Sequence, residues 1–191
     1  FNLPSIINEG FDESPYSGLT PSKTNLHQRM RFLSRAIAAK PQEIFITSVD
    51  GLIQTTLPPE EFRTRRLALK VGEEISLQDL SRFLLDCGYE SVPIVEDVGT
   101  FSKRGSIFDI FPPTQDAPVR VEFFGDEIET IKTFDIASQR SQDAFDEFIV
   151  TPCREILLTD SQLECGVKNL RDMFEKQKVS RDGRDRYLSP L

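Results

Sequence analysis

The chain has 191 residues, enough for one large domain or two small ones, and its 38% apolar and 28% charged residues are ordinary for a globular protein. Its net charge of −8 makes it a poor stand-alone ligand for nucleic acid, because phosphate contacts need clustered positive charge. No window approaches about 18 consecutive apolar residues, so the sequence predicts no transmembrane helix and no membrane partner.

The first 65 residues have the pattern of an α/β layer. Residues 1–24 are rich in Pro, Ser, Gly and Asn, which predicts irregular structure. An apolar stripe at helical spacing follows and consists of Leu26, Met30, Leu33 and Ile37. Pro41 ends this predicted helix, residues 43–49 predict a short buried strand, and residues 50–57 predict one or two helical turns. The order of helix, strand and helix is typical of an α/β layer.

A second region begins after a polar linker at residues 60–66. Residues 67–71 predict a strand, and Ser76 with Asp79 forms a capping signal for a helix that Gly88 ends. Four short strands are predicted around residues 92–98, 106–111, 119–124 and 128–134. This order predicts an α+β domain with a largely antiparallel sheet and a helix on one face.

The last part of the chain has weaker signals. Residues 136–149 are polar and show no clear pattern, whereas residues 154–158 resemble another strand. Ser161 and Glu164 form a second capping box before a predicted helix. The apolar stripe of that helix consists of Leu163, Val167, Leu170 and Phe174. The end of the chain, from residue 180 onward, is predicted to be irregular.

Residues for catalysis are scarce, and we expect no enzyme, no cofactor and no metal site. None of the ten glycines is followed by Lys, so the sequence contains no P-loop for nucleotide phosphates. The three cysteines form no C-x-x-C pair, which favours reduced thiols in a cytoplasmic protein. His27 lies in a charged helical stretch without an evident partner, and we interpret it as structural. The first residue is Phe1 rather than Met, which indicates a piece of a longer protein.

The most informative pattern lies in the segment of residues 104–128. Because side chains alternate along a strand, one face of the third predicted strand is the core side. The residues assigned to that side are Val119, Val121 and Phe123. Arg120, Glu122 and Phe124 share the other face, which we expect to lie in water, and Arg and aromatic residues are enriched at protein-binding hot spots. If the strand of the preceding hairpin begins near Arg104, a second guanidinium joins this face. Alternatives remain for both residues: Phe124 covers a second small core or belongs to the turn, and Arg120 pairs with Glu122 or a cross-strand carboxylate, worth about 0–1 kcal/mol.

Four motifs resemble one known family. RGSIFDIFPP at residues 104–113 and VRVEFFGDEIE at residues 119–129 resemble the UvrA-interacting domain that UvrB and the bacterial transcription-repair coupling factor (Mfd) family share. TSVDGLIQ at residues 47–54 and FDIASQRS at residues 134–141 are similar to the coupling factors rather than to UvrB. The resemblance covers the chain from about residue 14 to about residue 155.

The resemblance implies a division of the chain into three parts and an α+β fold overall. Residues 1–65 would form the first part of a degenerate, UvrB-like (RecA-like) α/β domain that has lost its nucleotide motifs. Residues 66–150 would form an inserted UvrA-interacting α+β domain with a mostly antiparallel sheet and a helix. Residues 151–191 would be the return segment of the first domain.

The resemblance also implies a function without catalysis. The chain would be the protein-docking region that recruits UvrA to lesion-stalled RNA polymerase for nucleotide excision repair. Arg104, Arg120 and Phe124 match the family residues that contact UvrA. ATP and Mg²⁺, DNA translocation and the contacts to RNA polymerase and DNA belong to absent domains of the parent protein. A distant domain of that protein would mask the same face until it is released.

Two alternative interpretations remain open at the level of sequence. In the first, the chain is a fragment of UvrB, an ATP-dependent damage-binding protein, and in the second it is a UvrB-domain-2-like module of a peptidoglycan synthase. The first is disfavoured by the missing P-loop and by the segment at residues 139–141. The second predicts a transmembrane anchor upstream and is disfavoured by the ATPase-like region around residues 43–62.

Overall fold

The computed structural model describes residues 5–13, 19–38, 43–155 and 160–177. The chain divides into two compact units, residues 1–155 and residues 156–191. Among the described residues, no helix is long and apolar enough to cross a membrane. The structure contains both helices and sheets with mainly antiparallel pairing, so the predicted α+β class is confirmed.

The first unit begins with a β-α-β element. β1 (Ser5–Asn8) pairs in parallel with β2 (Ile44–Thr47), and α1 (Lys23–Ile37) connects them. The side chain of Ser22 caps α1 by accepting a hydrogen bond from the backbone N–H of Asn25. The predicted helix is confirmed, but the expectation of irregular structure before it is wrong at β1.

The prediction that the strand at residues 43–49 is buried is wrong. Ile44 is 42% exposed and Ile46 is 48% exposed, because in the described residues this sheet has only two strands. A short apolar run predicts a strand but does not determine whether both faces are covered. The helical turns predicted next are confirmed as α2 (Val49–Ile53).

The predicted polar linker at residues 60–66 is mostly a helix. α3 (Pro59–Thr64) begins with proline at its first position, where the missing N–H costs no hydrogen bond. Glu60 and Glu61 then place negative charge in the first turn, which the helix dipole favours. Phe62 is buried and anchors this short helix. Proline followed by two glutamates is typical of a helix start, but the polar composition of the segment favoured a linker in the prediction.

The second region starts as the sequence predicts. β3 (Leu67–Lys70) is followed by α4 (Leu77–Asp86). The hydroxyl of Ser76 accepts a hydrogen bond from the N–H of Asp79, as the capping signal indicates. Gly88 follows the helix with a φ of 84°, a left-handed conformation that favours glycine after a helix end.

Six strands form the main sheet of the molecule, in sequential order and with only the first pair parallel. They are β4 (Glu90–Ser91), β5 (Thr100–Arg104), β6 (Ile107–Phe111), β7 (Val119–Phe124), β8 (Glu127–Phe134) and β9 (Ser141–Phe145). The predicted strands at β6, β7 and β8 are confirmed. The strand predicted at residues 92–98 is wrong, since this segment is an irregular loop and the strand forms at β5 instead. The polar residues 136–149 show no pattern that predicts β9.

The next strand, β10 (Glu147–Val150), closes the region by pairing antiparallel with β3. Leu67 lies opposite Val150, so the first and last strands of the region are side by side. This pairing was missed in the sequence because the two strands are separated by almost the whole region. Its consequence is that the chain enters and leaves the region at one place.

The main core lies between α4 and one face of the sheet, with β3 and β10 at its side. Its largest members include Leu80 and Leu84 of α4 and Phe108 of β6, all fully buried. The β7 residues on this face are Val119, Val121 and Phe123, as the alternation predicts. Burial of these apolar side chains is the main driving force for the arrangement of helix on sheet.

The strand predicted at residues 154–158 is not present at Arg154 and Glu155, and residues 156–159 lie outside the described residues. The second unit contains α5 (Asp160–Lys176), which confirms the predicted helix. Its predicted stripe is partly buried and ends at the buried Phe174. The capping interaction predicted for Ser161 and the irregular end from residue 180 also lie outside what the structure describes.

A cavity of about 750 Å³ lies between α1 and the loop before β5, and His27 is among its lining residues. The ring of His27 lies so close to Gly99 that a Cβ on this glycine would be 2.7 Å from Nε2. Burial lowers the pKa of His27, and the charges of Lys23 and Arg154 lower it further. Protonation of His27 is therefore less favourable in the folded chain than in the unfolded chain.

The first unit is therefore expected to lose stability through His27 when the solution is acidified. Because the unfolded state binds the proton more readily, the free energy of unfolding should fall as pH decreases through about 6.5. Urea denaturation at pH values between about 7.5 and 5.5 measures this decrease. His27→Gln should show a smaller decrease over the same range, and an identical decrease in the two proteins would contradict the assignment.

Candidate functional site

The sheet has a second face, on the side away from α4, which we call the outer face. Cross-strand register places Arg104, Ile107, Asp109, Arg120, Glu122, Phe124, Thr130 and Lys132 on it. The three residues singled out from the sequence, Arg104, Arg120 and Phe124, thus share one face. Their side chains nevertheless differ in their surroundings.

Phe124 is the most exposed large apolar side chain of the outer face, with 79% of its surface accessible. It ends β7 just before Gly125, which has a φ of 66° in the turn to β8. The N–H of Phe123 donates to the carbonyl of Ser106 over 2.9 Å, which joins this turn to the turn between β5 and β6. Phe124 and the end of β5 that carries Arg104 therefore lie at the same end of the sheet.

A second small core exists on this side of the sheet, but Phe124 does not belong to it. Its buried members are Val95, Phe111 and Phe134. The loop at residues 92–98 contributes to this cluster, which explains why the loop is apolar without being a strand. The alternative that Phe124 covers a second small core is therefore wrong.

Arg120 does not stand in water beside Phe124 as we expected, because only 13% of its side chain is exposed. Its Nε donates to Oδ1 of Asp109 over 2.7 Å, and its Nη2 donates to Oδ2 over 2.9 Å. The guanidinium carbon also lies 4.5 Å from the ring centre of Phe134. The alternative of a cross-strand ion pair is correct, and the hydrogen bonds that Arg120 donates to Asp109 raise the pKa of Arg120.

Gln139 closes the remaining side of Arg120. Its carbonyl oxygen accepts from Nη1 of Arg120 over 3.2 Å, and its side-chain oxygen lies 3.4 Å from Nη2. Gln139 has a φ of 57°, a conformation that residues other than glycine rarely adopt. Four hydrogen bonds thus hold the guanidinium of Arg120 in place.

Arg104 is the accessible guanidinium of the site. It donates through Nη2 to Oδ2 of Asp109, and 46% of its side chain remains exposed. Asp109 itself is only 1% exposed, so two cations compensate one buried carboxylate and the cluster keeps a net positive charge. Glu122 does not neutralise this positive charge, because its carboxylate has other partners. Its Oε2 lies 3.6 Å from Nζ of Lys132 and accepts a hydrogen bond from the hydroxyl of Thr130 over 2.7 Å.

Asp109 and Gln139 were not selected from the sequence, although both define the geometry of the site. Asp109 is a single charged residue in the otherwise apolar stretch IFDIF of β6. Because a buried charge requires a partner, this position was a signal for an ion pair. For Gln139 the sequence offers no comparable signal, since its contact depends on the loop between β8 and β9.

Neither a metal-binding cluster nor an activated buried thiol is present among the described residues. No group of His, Cys, Asp and Glu in these segments is arranged to hold a metal ion. Burial raises the pKa of the Cys87 thiol to about 12 and raises that of Cys153 as well. These thiols therefore remain protonated at neutral pH and are poor nucleophiles.

Comparison with known proteins identifies the family. Residues 67–155 match the family model described as "UvrB interaction domain". The chain is 39% identical over 158 residues to the transcription-repair-coupling factor of Myxococcus xanthus, covering 82% of this chain and 13% of that protein. It is 32% identical over 177 residues to the transcription-repair-coupling factor of Staphylococcus aureus (strain MRSA252), covering 89% of this chain and 15% of that protein.

A third relative, from Staphylococcus haemolyticus (strain JCSC1435), is a transcription-repair-coupling factor that is 31% identical over 163 residues, covering 85% of this chain and 14% of that protein. The chain thus spans less than one sixth of the length of each of these relatives. The match at residues 67–155 includes the whole sheet and its outer face. The chain belongs to the UvrB interaction domain family, in the form found in transcription-repair-coupling factors.

Proposed function

We propose that this chain is a docking region, without catalytic activity or cofactor, through which a transcription-repair coupling factor binds UvrA. The family match supports a role in protein–protein interaction. The observation that carries the proposal is the exposure of Phe124, which is 79% accessible on the outer face beside a positively charged cluster. Exposed aromatic and Arg side chains are the groups from which binding hot spots are built.

The three proposed contact residues have different roles. Phe124 supplies apolar area that loses water when a partner covers it. Arg104 keeps 46% of its side chain exposed, and its guanidinium suits a carboxylate of the partner. Arg120 is mostly covered, so we assign it a small contact through its exposed edge and a larger role in holding Asp109.

We also propose the division of the chain that the resemblance implies, with residues 66–150 inserted between residues 1–65 and residues 151–191 of a UvrB-like domain. The adjacent strands β3 and β10 support an insertion, because both ends of the region lie together. Arg29 of α1 donates to both carboxylate oxygens of Glu155, over 2.6 and 3.2 Å. This ion pair attaches the segment after the region to the first part of the chain.

The setting of the proposed function is nucleotide excision repair in the cytoplasm. The longer protein would displace lesion-stalled RNA polymerase by ATP-driven translocation on DNA, and this region would then recruit UvrA. Masking of the outer face by a distant domain of that protein remains part of the proposal. The similarity to coupling factors gives no support to the alternatives of a UvrB fragment and a peptidoglycan synthase module.

Calorimetric titration of the chain with purified UvrA tests this proposal. We expect binding, and we expect Arg104→Ala to weaken it by about tenfold, because an exposed donor to a partner carboxylate is lost. Arg82→Ala is the matched control, since Arg82 is an exposed arginine of α4, on the other side of the sheet. Failure of the unmodified chain to bind UvrA would refute the proposal.

A further inference from the structure

We propose that Asp109 is a positioning residue for docking, which fixes the direction in which Arg104 presents its guanidinium to the partner. The proposal rests on the proposed function and assigns a role to a residue that makes no contact with a partner itself. Asp109 is too deeply buried for such a contact, with 1% of its side chain exposed. Any effect it has on binding must therefore act through other side chains.

The position of Asp109 in the sheet suits this role. It lies on β6 directly opposite Arg120 of β7 and Ser102 of β5, and Arg104 is one step farther along β5 on the same face. One carboxylate thus stands between two arginines on the two neighbouring strands. Without it, two cations would lie close together on the outer face with no anion between them, and each would adopt many conformations.

Both carboxylate oxygens of Asp109 accept hydrogen bonds, and the two arginines share Oδ2. Arg120 uses Nε and Nη2 to bind both oxygens, which fixes the plane of the carboxylate. Arg104 then binds Oδ2, whose direction is already set. The buried pair of Arg120 and Asp109 thus orients the exposed guanidinium of Arg104.

Contacts on the other side of Arg120 make this support rigid. The ring of Phe134 lies under its guanidinium, and the carbonyl of Gln139 accepts from Nη1. Arg120 therefore cannot follow a movement of Arg104, and Asp109 is held by a fixed partner. A guanidinium that is already oriented loses less conformational freedom on binding, which strengthens the complex.

A double-mutant cycle against UvrA separates positioning from a general structural effect. We expect Asp109→Asn to weaken binding by about tenfold when Arg104 is present. In the Arg104→Gln background the same change should weaken binding by less than about threefold, because the side chain that it orients is gone. An equal loss in both backgrounds would overturn the positioning role.

A second variant keeps the proposal testable if Asp109→Asn does not fold. Arg104→Lys keeps the charge on an exposed side chain but replaces the oriented fork with a flexible ammonium group. We expect it to bind UvrA about as weakly as Arg104→Gln. If Arg104→Lys binds as tightly as the unmodified chain, orientation of the guanidinium is irrelevant and the proposal fails.

Phe124→Ala, measured in the same series, distinguishes an error in the proposed docking site from an error in the positioning role of Asp109. If Phe124→Ala and every variant of the cycle bind UvrA as tightly as the unmodified chain, the proposed docking site is wrong. If Phe124→Ala weakens binding but the cycle shows no coupling between Asp109 and Arg104, only the positioning role is wrong. Thermal unfolding of each variant shows that the comparison is made between folded proteins.

Discussion

Replacement of Phe124 by alanine is expected to weaken binding to UvrA by about thirtyfold or more, equivalent to about 2 kcal/mol. The ring is 79% exposed and belongs to neither core cluster of the described residues. Its removal should therefore leave the melting temperature unchanged, so that the loss of affinity reports only on the contact. Calorimetric titration and thermal unfolding of the same preparation measure both quantities.

The matched control for Phe124→Ala is Leu85→Ala. Leu85 is 55% exposed on α4, which covers the opposite face of the sheet. Its truncation removes a similarly exposed apolar side chain away from the proposed contact and should leave the affinity for UvrA unchanged. Equal affinities of the Phe124 and Leu85 variants would contradict the assignment of the outer face.

Replacement of Arg120 by alanine is expected to affect folding as well as binding. It removes both hydrogen bonds that Arg120 donates to the buried Asp109 and uncovers the ring of Phe134. Because Arg104 remains as a partner of Asp109, we expect the free energy of unfolding to fall by about 2–3 kcal/mol, less than for a fully orphaned buried charge. Urea denaturation measures this change.

Two further variants serve as controls for the loss of stability expected of Arg120→Ala. Arg120→Lys keeps the charge but not the paired donors, so its loss of stability should be smaller than that of Arg120→Ala. Lys132→Ala, next to Arg120 on the outer face, removes a cation from a more exposed pair with Glu122 and should cost about 0–1 kcal/mol. If Arg120→Ala unfolds at the same urea concentration as Lys132→Ala, the buried pair does not contribute to stability.

Local sequence signals predicted the elements whose structure depends on neighbouring residues. The cap of α4 at Ser76 needs only the N–H three residues later, and the structure shows this hydrogen bond. The alternation along β7 correctly separates the buried Val121 from Phe124 on the other face. Alternation along β7 was enough to place Arg120 and Phe124 on one face.

Features that depend on distant partners could not be derived in the same way. Alternation assigns Arg120 to a face, but the residue opposite to it depends on the register between β6 and β7. That register follows from the length and shape of the connection at residues 112–118, which alternation does not determine. The loop at residues 92–98 was mistaken for a strand for a related reason, since its apolar residues pack into the second small core.

Hydrogen–deuterium exchange of the whole chain, with and without UvrA, tests most directly whether the outer face is the docking surface. We expect UvrA to slow exchange at residues 104–107 and 120–127, around Arg104 and Phe124, while exchange in α4 stays unchanged. Protection confined to α4 or to α1, with no change around Phe124, would contradict docking through the outer face.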